Sequence, residues 1–186
     1  MVSLKKIEDC KNSLKYVRLA RGRGVFESFD RGYIIQYSTN FVLLQTTDDF
    51  TLNGYSIFPL DTIQKVRHNK NDSFYDKIMK REKLKDQIGI HFNIDLSNWK
   101  TIFQTLKKTK LTVTIECEEP HLDYFCIGSL QQVGKNKVSM LYFSPDGIID
   151  ETPTITEYVN ITKVRFNDRY ANVFTKYVKA PPRPRF

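Results

Sequence analysis

Apolar and polar positions change period several times along the chain, and each change marks an element. After Ser3, Leu4, Ile7, Cys10 and Leu14 recur at three- and four-residue spacing, which predicts a short helix capped by that serine. Over residues 15–21 the period falls to two. Tyr16, Arg18 and Ala20 alternate with Val17 and Leu19, as in a half-buried strand. Gly22-Arg23-Gly24 predicts a turn, because glycine adopts positive φ at little cost. A long strand over 25–37, bent at Gly32, follows, then strands over 41–45, 55–60 and 62–68. The Asn53-Gly54 pair predicts the tight turn before the 55–60 strand. Asp72 or Ser73 then caps a second helix, with Phe74, Ile78 and residues 81–84 setting its faces.

The same succession comes round again. Asp95 or Ser97 opens a helix whose Leu96, Trp99, Ile102, Phe103 and Leu106 form one apolar stripe, expected to be buried, with a large loss for Trp99→Ala if the tryptophan is central. A strand over 111–117 leads into Glu118-Glu119-Pro120-His121, which replaces the glycine turn. Asn167 or Asp168 caps a last helix in which Tyr170, Val173, Phe174 and Tyr177 share a face. Between the two successions, residues 88–94 alternate with period two and predict an extra strand. Three prolines in residues 180–186 end the last helix and predict an extended tail.

Residues 43–69 meet residues 141–167 at an offset of 98 without a gap: Leu43, Asp48, Ile57, Ile63, Lys65, Val66, Arg67 and Asn69 align with Leu141, Asp146, Ile155, Ile161, Lys163, Val164, Arg165 and Asn167. Upstream the offset is 96, aligning Val17 with Val113, Phe29 with Phe125, Gly32 with Gly128 and Gln36 with Gln132. The step from 96 to 98 is assigned to the hairpin at 134–137. A repeat of this length predicts a duplicated unit: residues 1–86 and 96–180, a connecting strand over 87–95 and a tail over 181–186.

Each unit is a helix followed by five short strands, with a glycine midway along the second. Residues 32–44, from Gly32 through Tyr37, Ser38 and Phe41 to Leu44, resemble the first signature of the Sm-like small barrels, relatives of the SH3-like barrels. The chain departs from it at Ser38, where the signature has Asp, and at Val42 and Leu43, where it carries a base-contacting Asn. The second signature, an apolar run ending in Arg-Gly, is absent; Arg67 leads into His68. The resemblance implies a mainly β, α+β protein of two tandem Sm-like barrels with flanking helices. The strand 41–45, the run Asp49-Phe50-x-Leu52-x-Gly54-Tyr55 and Ile63-x-x-Val66-Arg67 are also similar to an uncharacterised bacterial family, which implies no established activity.

Charge adds a constraint. Among 186 residues, 29 Lys and Arg face 21 Asp and Glu, a formal +8, which permits an anionic partner. The excess is uneven: residues 163–186 hold one acid, Asp168, whereas 116–123 and 146–157 are acidic. No stretch nears the roughly 18 apolar residues of a membrane helix, and the charged N-terminus is unlike an export signal. Cys10, Cys117 and Cys126 have no C-x-x-C spacing, which points to reduced thiols in the cytoplasm.

Candidate chemistry is sparse. Signatures of serine hydrolases, zinc peptidases and phosphate-binding loops are missing, and His68, His91 and His121 fall on separate elements, so no catalytic residue is nominated. Cys117, His121 and Cys126 could converge across a hairpin but lack a fourth ligand, so no metal or cofactor is expected. Asp48, Asp49 and Asp146 suit turns, where the side chain bonds nearby amides. Lys65/Arg67 and Lys163/Arg165 each bracket a valine, which puts both cations of a pair on one strand face. With Arg183 and Arg185 they form the candidate anion or nucleic-acid contacts. Most aromatics, including Phe29, Phe41, Phe103, Phe125 and Phe174, fall at core periodicity. The expectation is a non-catalytic binding or scaffold protein, acting on a protein partner or by self-assembly, with RNA or DNA binding as the alternative.

Overall fold

The computed structural model describes residues 2–23 and 26–180, with backbone alone at 23 and 26. The tail, with Arg183 and Arg185, lies outside the described residues. The elements are α1 (Leu4–Asn12), β1 (Tyr16–Arg23), β2 (Phe26–Tyr37), β3 (Phe41–Asp48), β4 (Thr51–Pro59), β5 (Ile63–Arg67) and α2 (Lys70–Arg81). The second half has α3 (Trp99–Thr109), β6 (Val113–Cys117), β7 (Tyr124–Val133), β8 (Lys137–Tyr142), β9 (Thr154–Glu157), β10 (Lys163–Phe166) and α4 (Arg169–Phe174). The protein is mainly β with flanking helices. Its ten strands form one sheet in the order β5-β1-β2-β3-β4-β10-β6-β7-β8-β9, and every pairing is antiparallel. The sheet is open. Among the described residues no ladder closes either half into a separate barrel; instead β4 passes hydrogen bonds to β10 of the other half.

Register repeats pair for pair. Val17 faces Gly32 and Val113 faces Gly128; Leu19 faces Val66 and Ile115 faces Val164. The β2–β3 ladder skips between Ile34 and Gln36, and the β7–β8 ladder between Leu130 and Gln132. These pairs move the offset step. Gly32 opposes Thr46 and Gly128 opposes Tyr142, so β3 and β8 still correspond at 96. Val42 opposes Phe58 and Val138 opposes Thr156, so β4 and β9 correspond at 98. The two extra residues therefore lie between β8 and β9, not in the hairpin at 134–137. That hairpin keeps Ser38 and Gly134 in matching bonds, to Phe41 O and Lys137 O.

Several local expectations shift. Gly22 and Arg23 lie inside β1, opposite Glu27 and Phe26, so the turn does not begin at Gly22. Asn53 and Gly54 lie inside β4, and Asp49 turns that hairpin with φ +37. Gly54 serves the joint instead. At φ +70, a Cβ there would stand 2.5 Å from Asp168 N. Ser3 stands at the N-cap of α1 but makes no side-chain cap bond. Asn69, not Asp72 or Ser73, caps α2, with Asp72 returning the bond as the third residue of a capping box. Asn98, not Asp95 or Ser97, caps α3 with Thr101 in the same way, while Asp168 caps α4. Residues 88–94 form no strand. Gly89 at φ +156 interrupts them, and its N–H and C=O are bonded by Gln45 and Tyr55 side chains rather than by a ladder.

The largest core crosses the joint. Phe41, Leu43, Tyr55 and Ile57 of the first half pack with Ile102, Phe103, Leu106, Val113, Ile115, Val164 and Phe166 of the second. Ile94 and Leu96 are buried there too, which is why the linker alternates without being a strand. Within the α3 stripe, Ile102, Phe103 and Leu106 are buried, but Trp99 is partly exposed at its end, edge-on to Phe41 at 4.7 Å. The centre of the stripe is Phe103. Phe103→Ala should cost about 3–5 kcal/mol, and Trp99→Ala clearly less, in urea denaturation midpoints. Equal losses would mean that the tryptophan carries as much packing as the buried ring. Phe29 and Phe125, which occupy equivalent positions, are exposed.

Candidate functional site: an arginine row and a crevice at the joint

Cross-strand pairing assembles the site. Arg18 in the middle of β1 is opposed by Arg67 of β5 on one side and Arg31 of β2 on the other. Directly opposed residues share a face with Cβ atoms about 5 Å apart, so three arginines stand in a row across three strands. Like charges in that position repel. Arg67 is compensated by Asp72, whose carboxylate oxygens lie 3.0 and 3.2 Å from its guanidinium nitrogens. Arg18 lies 4.0 Å over the ring of Phe29. Neither Arg18 nor Arg31 has a carboxylate partner among the described residues.

Arg18 and Arg31 form one wall of a crevice of about 500 Å³ with Phe29 and Asp30. The other wall comes from β3, β4 and β10 and their ends: Thr46, Thr47, Asp48, Asn53, Tyr55, Ser56, Lys163, Arg165 and Asp168. Both halves thus contribute. Four of these residues, Arg18, Ser56, Arg165 and Asp168, carry a buried side-chain polar atom without a hydrogen-bond partner. For Arg165 the atom is Nε, which sits 2.8 Å from Glu116 Oε1 but out of hydrogen-bonding alignment. Asp168 accepts from Ala171 N through Oδ1, leaving Oδ2 unsatisfied. Buried polar atoms are ordinarily paired, so these enclosed atoms are an energetic cost gathered around the crevice.

Beside the crevice lies a buried ion cluster. Arg21 is 1% exposed, 2.6 Å from Asp30 through Nε and 2.8 Å from both carboxylate oxygens of Glu118 through its terminal nitrogens. Lys163 joins at 3.1 Å from Asp30 and 3.4 Å from Glu116. Burial alone would raise the Glu118 carboxyl. Arg21, the Thr162 hydroxyl and Lys163 outweigh it and hold that carboxyl below its ordinary value. Arg21 and Asp30 occupy the positions that Cys117 and Cys126 hold in the second half, at the 96 offset. Burial pushes the Cys117 thiol up to about 12 and Cys126 up as well, so neither offers a thiolate. His121 is exposed in its turn, and no group of three metal-ligating side chains forms among the described residues.

The expected sites are therefore dispersed. Lys163 and Arg165 line the crevice but share their charge with Asp30 and Glu116. Lys65 is exposed on the outer strand opposite Ala20, where its counterpart Lys163 meets Glu116. Arg67 lies next to it, bound to Asp72. The two pairs do not make equivalent basic faces. Sequence reading missed Arg18 and Arg31, whose counterparts are Thr114 and Ile127; the polar phase of 15–21 was the available signal, but only pairing aligns them. It also missed that His68 meets a serine. His68 Nδ1 lies 2.8 Å from Tyr16 O and Nε2 lies 3.0 Å from Ser73 Oγ. A ring held this way donates from Nδ1 and accepts from the serine through Nε2. The pair is at the start of α2, outside the crevice.

These features define a mainly β protein of two repeated, edge-joined five-stranded units, with a polar, arginine-walled crevice where they meet. No family model matches the chain, and no curated protein or solved structure matches it either. None of the described helices is long and apolar enough to cross a membrane.

Proposed function

We propose that the chain is a non-catalytic cytoplasmic binding or scaffold protein built from two open Sm-like units, with its ligand seat in the crevice at their joint. The succession of a helix and five strands, with Gly32 and Gly128 in the second strand of each unit, supports the Sm-like reading. The observation that carries the binding reading is Arg18 and Arg31, opposed and without a carboxylate, in a crevice built from both halves. The crevice's ionisable groups are Arg, Lys, Asp and Tyr, with the cations placed to receive an anion. Ser73 has a base in His68, but sits in the first turn of α2 away from that crevice. A fluorophosphonate probe should leave Ser73 unlabelled, and labelling that His68→Ala abolishes would restore an enzymatic reading.

Protein contact or self-assembly is favoured by a separate observation. Ile57 is fully buried where β10 pairs with β4, whereas its counterpart Ile155 on the free strand β9 is 58% exposed. Nucleic acid is the competing reading, and salt separates them. At physiological salt a short RNA should bind no better than the non-specific range of roughly 10⁻⁴–10⁻⁶ M, with affinity falling steeply as salt rises. A sub-micromolar, sequence-dependent complex would put nucleic acid first.

A further inference from the structure

We propose that the crevice holds a small phosphomonoester with a hydroxylated body, its phosphate bridging Arg18 and Arg31. The inference rests on the reading of the joint as the ligand seat and adds the chemistry of the ligand.

The arginine row supplies the first argument. Two opposed guanidinium groups, uncompensated, cost stability in the empty protein and repay it when a single oxyanion accepts from both. A tetrahedral phosphate offers three terminal oxygens to donors converging from two strands, and arginine is the side chain best shaped for it. Phe29 backs the Arg18 guanidinium from its other face, which orients the donors. Lys163 and Arg165 add positive potential from the opposite wall, reduced by their carboxylate partners.

The second argument concerns what the phosphate is attached to. Beyond the cations the lining is hydrogen-bonding, from Thr46, Thr47, Asn53 and Ser56, with three carboxylates, Asp30, Asp48 and Asp168, of which Asp30 is bound to Arg21 and Lys163. The hydroxyls and the Asn53 amide can both donate and accept, which suits the hydroxyls of a sugar and leaves an apolar body without partners. About 500 Å³ accommodates a sugar phosphate or a mononucleotide, and the lower half of ordinary ligand-pocket volumes includes it. Phe29, 54% exposed at the rim, offers a ring against which a nucleobase could stack.

Calorimetric titration of the full chain with inorganic phosphate, ribose 5-phosphate, adenosine 5′-monophosphate, ribose, citrate and a short single-stranded RNA tests the proposal. The sugar phosphate or the nucleotide should bind at least about tenfold tighter than phosphate, ribose or citrate, an expectation from charge-assisted bonds plus hydrogen bonds to the polar lining. Arg31→Gln and Arg18→Gln should each weaken that binding about tenfold, with Lys65→Gln unchanged. Because Arg31 is exposed, its variant remains informative if Arg18→Gln folds poorly. The unliganded thermal midpoint of Arg31→Gln should be equal to or above that of the parent protein, since a like-charge contact is removed. Tighter binding of the nucleotide than of the sugar phosphate, with the difference lost in Phe29→Ala, assigns the ligand to nucleotides; equal binding of both, weakened equally by Phe29→Ala, assigns it to sugar phosphates.

Citrate or ribose binding as tightly as ribose 5-phosphate, and weakened by Phe29→Ala, would overturn the phosphomonoester while leaving the crevice as the ligand seat. RNA binding that depends on Arg31 without binding of either monomer would overturn both in favour of nucleic acid. A lower unliganded midpoint in Arg31→Gln, with affinity unchanged, would make the arginines structural and overturn the proposal. Absence of binding by every compound would remove the proposal and the crevice as ligand seat, and leave the scaffold reading on Ile155 of β9.

Discussion

Arg21→Met should destabilise the protein by about 3–5 kcal/mol near neutral pH, because it takes from Glu118 its bidentate cation and leaves Asp30 with Lys163 alone in a site that water scarcely reaches. The loss should shrink in acid. Glu118 has a folded pKa below its unfolded value, so its contribution is complete above the ordinary carboxylate range and disappears as pH falls through the folded value. The gap between parent and variant in urea denaturation should therefore be wide near pH 7 and narrow steadily as pH falls below the ordinary carboxylate range. A gap independent of pH would mean that Arg21 acts through its packing over Phe58, 4.4 Å from its guanidinium carbon, and not through the carboxylates. The second half indicates a compatible replacement. It holds Cys117 and Cys126 at the equivalent positions, so Arg21→Cys combined with Asp30→Cys and Glu118→Gln should recover much of the loss by removing every unpaired charge.

The arrangement of elements was legible because each half buries one face of a bent sheet, and period-two patterning records that burial directly. The repeat of Ile63-x-Lys65-Val66-Arg67 at residues 161–165 marks the strand that pairs with β1 or β6, and there the valine must face the core in both copies. What pattern could not give was partnership between strands far apart in sequence. β4 and β10 carry apolar residues that would suit either a closed barrel or a shared sheet. The choice is made by Gly54, whose missing side chain admits Asn167 and Asp168. An Asn-Gly pair is also the commonest hairpin signal, so the same dipeptide predicts a turn that the chain does not make. Residues 88–94 misled for a related reason: alternation reports burial on one side, and Ile94 is buried without a ladder.

For the site, the repeat drew attention to cations whose surroundings differ between the two halves. Lys65, Arg67, Lys163 and Arg165 recur because their positions recur, and their neighbours then diverge: Ala20 stands where Glu116 stands, and Asp72 has no matching carboxylate on α4. Arg18 and Arg31 are unmatched in the second half and are invisible to a search for repeated residues. Their significance lies in registers of Arg18 with Arg67 and with Arg31. Had the strand order been deduced first, the polar phase of each strand would have lined up the three arginines.

Gly32→Ala and Gly128→Ala should each destabilise the protein by about 3 kcal/mol or more, although each adds one methyl group. A Cβ on Gly32 would stand 2.0 Å from Gln45 O, and one on Gly128 1.8 Å from Leu141 O. Both obstacles are backbone in the middle of a ladder, so relief requires strands to part: β2 from β3, or β7 from β8. Gly134→Ala is the matched control, since its Cβ would meet Lys137 O at 3.1 Å at a hairpin end, where a small shift suffices. It should cost under about 1 kcal/mol. The two damaging substitutions lie in different halves, which makes the form of unfolding informative as well as its midpoint. Because Phe41, Leu43, Tyr55 and Ile57 share one core with α3, β6 and β10, damage to either half should lower a single cooperative transition. Two transitions in Gly128→Ala, with one at the parent midpoint, would show that the first half stands without the second. In that case the edge pairing of β4 with β10 joins two independently stable units, and the crevice between them could open without unfolding either.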